Sequence, residues 1–289
     1  MKKLISILFI ALSVGMISSC GGAKDGKKVT IAYVNWAEGV AMTNLSKVLL
    51  EKEGYKVELK NADVAPVFAA VASGNADVFL DTWMPVTHKE YVDKYSTNLE
   101  ILGTNFENGR IGLVVPDYVN VNSIDELNAN VALFDGKIVG IDAGAGIMNK
   151  AAEAVKDYDL KFKLQTSSEA AMLAILKKSI DAKKPIVITG WSPHYIFSNF
   201  KLKFLNDPKK VFGEVEKLQT VANKKFVTTH PEVTEFFKNF QLNDLELGSL
   251  LAVFQKESDE KTAAEKWLSE HQEFAAKMSA YLKTTAEKE

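Results

Sequence analysis

Cysteine is nearly absent from this 289-residue chain: the single copy, Cys20, cannot form an internal disulfide, and thiolate metal clusters are excluded. Arginine is equally scarce, with Arg110 alone against a background of lysine. That lack argues against phosphate recognition, where arginine's bidentate fork is favoured. Neither sign of charge is in excess, since Lys plus Arg total 35 and Asp plus Glu 37, for a net charge of −2. A near-neutral chain has no global electrostatic reason to seek nucleic acid or to coat an anionic membrane, so neither is expected as a partner. Past Cys20 no stretch approaches the roughly 20 apolar residues that span a bilayer, and no short-period repeat is present. What is there is the balance of a globular protein, 47% hydrophobic and 25% charged, in a length of about two domains.

The first 19 residues read as a secretory signal rather than as part of a fold. Lys2 and Lys3 form a charged start, Leu4 to Met16 an apolar core, and Ser18 and Ser19 are small residues before Cys20. Ile17-Ser18-Ser19-Cys20 resembles a bacterial lipobox, which implies cleavage before Cys20 and lipidation of that cysteine. Residues 20–28 are then a short polar, lipid-anchored linker. The mature body is expected outside the cytoplasmic membrane, in the periplasmic space or on the outer face of that membrane.

The body alternates strand and helix. Val29–Tyr33, Val57–Leu59, Val78–Leu80, Ile111–Val115, Lys137–Ile141 and Pro185–Thr189 are apolar, β-branched runs. Between them lie helical patterns such as Leu45, Val48, Leu49 and Ala151, Ala154, Val155. From Pro231 the pattern is helical to the end. Alternation of this kind predicts an α/β architecture with mostly parallel sheets. Two blocks, 29–115 and 116–222, are read as two lobes. The tail 223–289 is amphipathic, needs a partner surface, and is assigned to the first lobe.

Three of the four tryptophans share one context. Trp36, Trp83 and Trp191 each fall just past an apolar strand, the edge that lines the ligand crevice of open α/β sheets. Trp36 and Trp83 come from the first block and Trp191 from the second, so a cleft between lobes brings all three together. Any one tryptophan alone reads as core. Three indoles around one point make a box of negative π-faces suited to a quaternary ammonium. Trp267, on the last helices, reads as core. Gly144-Ala145-Gly146-Ile147 follows a strand and opens a helix, so the free amides of Gly146 and Ile147 are candidates for holding an anion. His88 is a candidate for one more hydrogen bond to it. A cation cage facing an anion site describes a zwitterion.

These residues resemble those of the glycine betaine-binding proteins of bacterial ABC importers. The resemblance rests on Tyr33-Val34-Asn35-Trp36-Ala37-Glu38, Trp83-Met84-Pro85-Val86-Thr87-His88, Gly112-Leu113-Val114-Val115-Pro116, Gly140 to Met148, and Thr189-Gly190-Trp191-Ser192-Pro193-His194. It implies a two-lobed periplasmic-binding-protein fold, type II-like, with a hinge near Val115 and Thr220 and the ligand in the interlobe cleft. It implies that Trp36, Trp83 and Trp191 cage a trimethylammonium group while Gly146, Ile147 and His88 hold a carboxylate. A permease is the implied membrane partner, and no cofactor is implied. Choline, carnitine or another small ligand on the same architecture is the alternative, and a zinc- or peptide-binding lipoprotein on that architecture is a more serious rival than an enzyme. Many relatives carry proline where Ala143 stands and tryptophan where Tyr195 stands.

Enzyme readings fail on spacing. Asn149 replaces the third glycine of a dinucleotide loop at Gly144-x-Gly146, and Gly190-Trp191-Ser192-Pro193-His194 lacks the closing glycine of a nucleophile elbow. The histidines, His88, His194, His230 and His271, show no metal-ligand spacing, so no catalytic or metal site is expected.

Overall fold

The computed structural model describes residues 27–283; the leader, Cys20 and most of the linker lie outside the described residues. The first strand, β1 (Lys28–Tyr33), runs through Trp36 into α1 (Ala37–Lys52). Ala41, Leu45, Val48 and Leu49 recur at helical spacing on that helix and are all buried. Next come β2 (Lys56–Asn61) and α2 (Val64–Ser73), which ends at Gly74 with φ +77°, a left-handed cap that glycine adopts without strain. They are followed by β3 (Val78–Met84), the short α3 (Lys89–Lys94) and β4 (Leu99–Pro116).

A 3₁₀ segment, Ile124–Phe134, leads to β5 (Lys137–Val139), α4 (Gly146–Asp157), β6 (Lys163–Gln165) and α5 (Glu169–Asp181). Then come β7 (Ile188–Ser192), the single turn α6 (Ile196–Asn199), β8 (Leu202–Phe204) and β9 (Glu216–Asn223). The strand order is β2-β1-β3-β9-β4-β7-β5-β6, with β8 also on β4.

β4 divides that path. Its residues Leu99–Gly109 pair with β9, whereas Arg110–Pro116 pair with β7 and β8. One continuous strand therefore belongs to two half-sheets. The expectation of mostly parallel sheets is corrected to a mixed one. β1–β2, β1–β3, β5–β6 and β5–β7 are parallel, as helical crossovers demand. However, β9 returns from the second half and lies antiparallel between β3 and β4, and β4 is antiparallel to β7 and β8. Only Ile111–Val115 of β4 was legible as a strand. Its earlier part, through Thr104-Asn105-Phe106-Glu107-Asn108-Gly109, mixes polar residues with irregular pairing and has no apolar run.

The remaining chain forms α7 (Lys224–Thr229), α8 (Pro231–Asn239), α9 (Asp244–Lys256), α10 (Glu260–Glu270) and α11 (Gln272–Leu282). Asn243 and Glu246 make a reciprocal capping box that starts α9. The last three helices pack on α1, and α8 packs on β4. Trp267 is fully buried there, with its indole N–H donating to Ser249 Oγ at 2.8 Å. No described helix is long and apolar enough to cross a membrane.

Candidate functional site

All six residues read from the sequence line one small cavity: Trp36, Trp83, His88, Gly146, Ile147 and Trp191. It lies between the two half-sheets. Trp36 is the residue before the first turn of α1, with extended backbone (φ −101°, ψ 147°). Trp83 and Trp191 stand within the last residues of β3 and β7 rather than past their ends. Pairing of Trp83 with Leu218 and of Trp191 with Ile111 prolongs both strands beyond their apolar runs. Gly146 and Ile147 open α4, where Ala145 supplies no side-chain cap. Neither amide has an intrahelical acceptor at that position.

The turn after β3 is held by a buried carboxylate. Glu216 accepts the amides of Val86 and Thr87, each at 2.8 Å, and the Thr87 hydroxyl. That turn delivers His88, which is fully buried. Its Nδ1 accepts the Trp83 amide at 2.9 Å, so in the neutral ring the proton is on Nε2. Burial drives the imidazole down to about 3, which keeps it neutral throughout the physiological range. Nε2 has no partner among the described residues. His88 thus presents an N–H donor without a net charge, and it stacks on Trp36 at 5.7 Å between centroids.

Carboxylates that sequence reasoning missed stand behind the indoles. Trp83 Nε1 donates to Asp81 Oδ1 at 2.8 Å, and Trp191 Nε1 donates to Glu38 Oε2 at 2.8 Å. Burial, with Asp81 and Glu169 close by, raises the Glu38 carboxyl well above the ordinary range. Burial pushes Asp81 to about 7, opposed by the Trp83 bond and assisted by the charge of Glu169. A signal for Asp81 existed: it precedes Trp83 by two, and residues two apart on a strand share a face. Glu38 stands two after Trp36 in the quoted segment, but its partner is 153 positions away, beyond any local pattern.

Chemically the cavity pairs aromatic faces with N–H donors. No lysine or arginine is on its wall, and its one hydroxyl, on Thr87, is engaged by Glu216. Three indoles suit an organic cation. Two helix-start amides and a neutral imidazole N–H suit a carboxylate.

Residues 27–270 match the family model described as the substrate-binding domain of ABC-type glycine betaine transport systems. The chain belongs to this family. It is 41% identical over 143 residues to the glycine betaine/carnitine transport binding protein GbuC of Listeria monocytogenes, a match that spans 48% of each protein. Among solved structures, the lactococcal OpuAC protein, in its closed conformation complexed with glycine betaine, superimposes with a TM-score of 0.82 at 34% identity. That match covers 87% of this chain and 99% of that one. The glycine betaine/L-proline-binding protein ProX of Borrelia burgdorferi superimposes with a TM-score of 0.84 at 32% identity, over 89% of this chain and 100% of that one. The fold of this family member is therefore the two-lobed α/β substrate-binding fold.

Proposed function

We propose that this family member captures glycine betaine, or a related quaternary ammonium zwitterion, outside the cytoplasmic membrane and delivers it to an ABC permease for osmoprotectant uptake. One observation carries this reading: three tryptophans from both half-sheets converge on the same small cavity as the unpaired donors of His88 and α4. Trp36, Trp83 and Trp191 enclose the methylated ammonium, each desolvated contact contributing up to about 2 kcal/mol. His88, Gly146 and Ile147 hold the carboxylate. No bond is made or broken in this role, so the chain acts as a binding protein and not as an enzyme. In this reading the lobes divide where β4 changes partners: residues 29–109 with β9 and the helical tail form one lobe and residues 110–215 the other. That moves the bounds read from the sequence (29–115 with 223–289, and 116–222), and β4 and the approach to β9 carry the hinge. Residues 1–19 direct export, and lipid on Cys20 tethers the body.

The test is a calorimetric titration of the mature chain with glycine betaine near neutral pH, with tryptophan fluorescence followed in parallel. Micromolar binding with a spectral change is expected, because three of the four indoles sense the ligand. Choline, which lacks the carboxylate and so leaves His88, Gly146 and Ile147 without an acceptor, is expected to bind more weakly. Absence of both heat and spectral change with betaine would return the three tryptophans to the core.

A further inference from the structure

A helix start leaves amide donors without acceptors. At α1 the residue in the capping position is Trp36, whose indole has no acceptor and caps nothing. The amide of Ala37, the next residue, is taken instead by Glu169 Oε2 at 3.1 Å, from the first residue of α5 in the other half of the molecule, 132 positions along the chain. Negative charge is favoured at a helix N-terminus. The other oxygen of Glu169 faces His194 Nε2 at 3.0 Å. His194 Nδ1 accepts the Ile196 amide at 3.1 Å, which leaves the Nε2 proton to donate to Glu169. Glu169 is therefore aimed, and it stands outside the wall of the binding cavity.

A second bond runs in the opposite sense. Glu38, in the first turn of α1, accepts the Trp191 indole N–H from β7. Each half-sheet thus contributes one carboxylate and one donor to its counterpart, and each bond fixes a segment that carries a cage indole. Both bonds need the two halves close together.

We propose that Glu169 and Glu38 are positioning residues that clasp the two lobes around the aromatic cage, with Glu169, aimed by His194, capping α1 in trans. The inference rests on the cage reading above. The clasp forms only in the closed state, so its loss acts on release of ligand rather than on capture. Loss of a hydrogen bond to a charged group at this position corresponds to roughly tenfold or more in dissociation.

The experiment is stopped-flow tryptophan fluorescence with glycine betaine on the full mature chain, comparing wild type with Glu169→Ala, Glu169→Gln and Glu38→Gln. Thermal melts are recorded with and without ligand. Glu169→Ala is expected to dissociate roughly tenfold faster or more with association nearly unchanged. Its ligand-free melting temperature should stay near that of wild type, while the upward shift caused by betaine shrinks. Glu169→Gln keeps an acceptor for the Ala37 amide but loses the charge and the fit to His194, so its rate should fall between the two. Glu38→Gln keeps an acceptor for Trp191 and should be the milder variant. If wild type binds betaine and Glu169→Ala releases it at the wild-type rate, the clasp is wrong and the cage stands. If wild type binds no betaine, the cage reading falls and the clasp with it. Should Glu169→Ala not fold, a wild-type dissociation rate for Glu169→Gln overturns the proposal in its place.

Discussion

Asp81 is a costly residue to keep. It is buried on β3, one oxygen accepts the Trp83 indole, and the other has no partner among the described residues. Its folded value is about 7 against an ordinary 3.8. For an acid raised in this way, the native state holds a proton that the unfolded chain has already released. Stability from this group is therefore present below the unfolded value and is lost as pH rises through the folded value, between about 4 and about 7. Asp81→Asn preserves the shape and the acceptor for Trp83 and removes the titration. The melting temperature of the variant minus that of wild type should grow as pH rises from about 5 to about 8. A difference that stays flat across that range would show that Asp81 does not titrate there. His88 contrasts with it, because burial holds its ring neutral far below this window.

Elements meet across the cleft at contact distance. Gly146 begins α4, and the lack of a side chain there leaves room for close approach. What approaches is protein: a Cβ at position 146 would lie 2.1 Å from the Thr87 carbonyl oxygen, on the turn that Glu216 braces. Tyr91, just beyond that turn, also reaches across, donating its O–H to the Gly144 carbonyl at 2.9 Å. Gly146→Ala should therefore obstruct closure while leaving α4 intact, since alanine favours a helix. The expected result is a loss of betaine affinity of roughly tenfold to a hundredfold, the range of overpacking costs, with a ligand-free melting temperature near wild type. Calorimetry beside a thermal melt separates the two; wild-type affinity in the variant would mean that α4 and the turn do not approach on binding.

The whole molecule is joined at β4, whose two ends serve different half-sheets, and is completed by the tail that packs on α1. Trp267 anchors that tail. It is fully buried, stacks on His271 with centroids 3.8 Å apart and makes an edge contact with Phe274. Trp267→Ala removes a large core side chain and should cost about 3–5 kcal/mol of stability. Well below its melting point the variant should bind betaine as wild type does, because Trp267 is no part of the cavity. Denaturant unfolding and a titration on the same preparation test this. A weakened affinity in folded Trp267→Ala would mean that the tail shapes the site through α1 and Trp36.

Sequence alone determined the features that local pattern encodes. Apolar runs and helical spacing marked most strands and helices, and the Gly-rich start of α4 marked free amides. Short segments around Trp36, Trp83 and Trp191 marked the family, since strand ends and helix starts depend on neighbours a few positions away. The antiparallel placement of β9 and the polar half of β4 were not legible, because strand pairing partners are set by packing between distant segments. Only the tertiary structure decided that Glu38 pairs with Trp191 and Glu169 with the start of α1. Those partners are 153 and 132 positions apart, and a buried carboxylate declares its partner only once folding has removed water from around both.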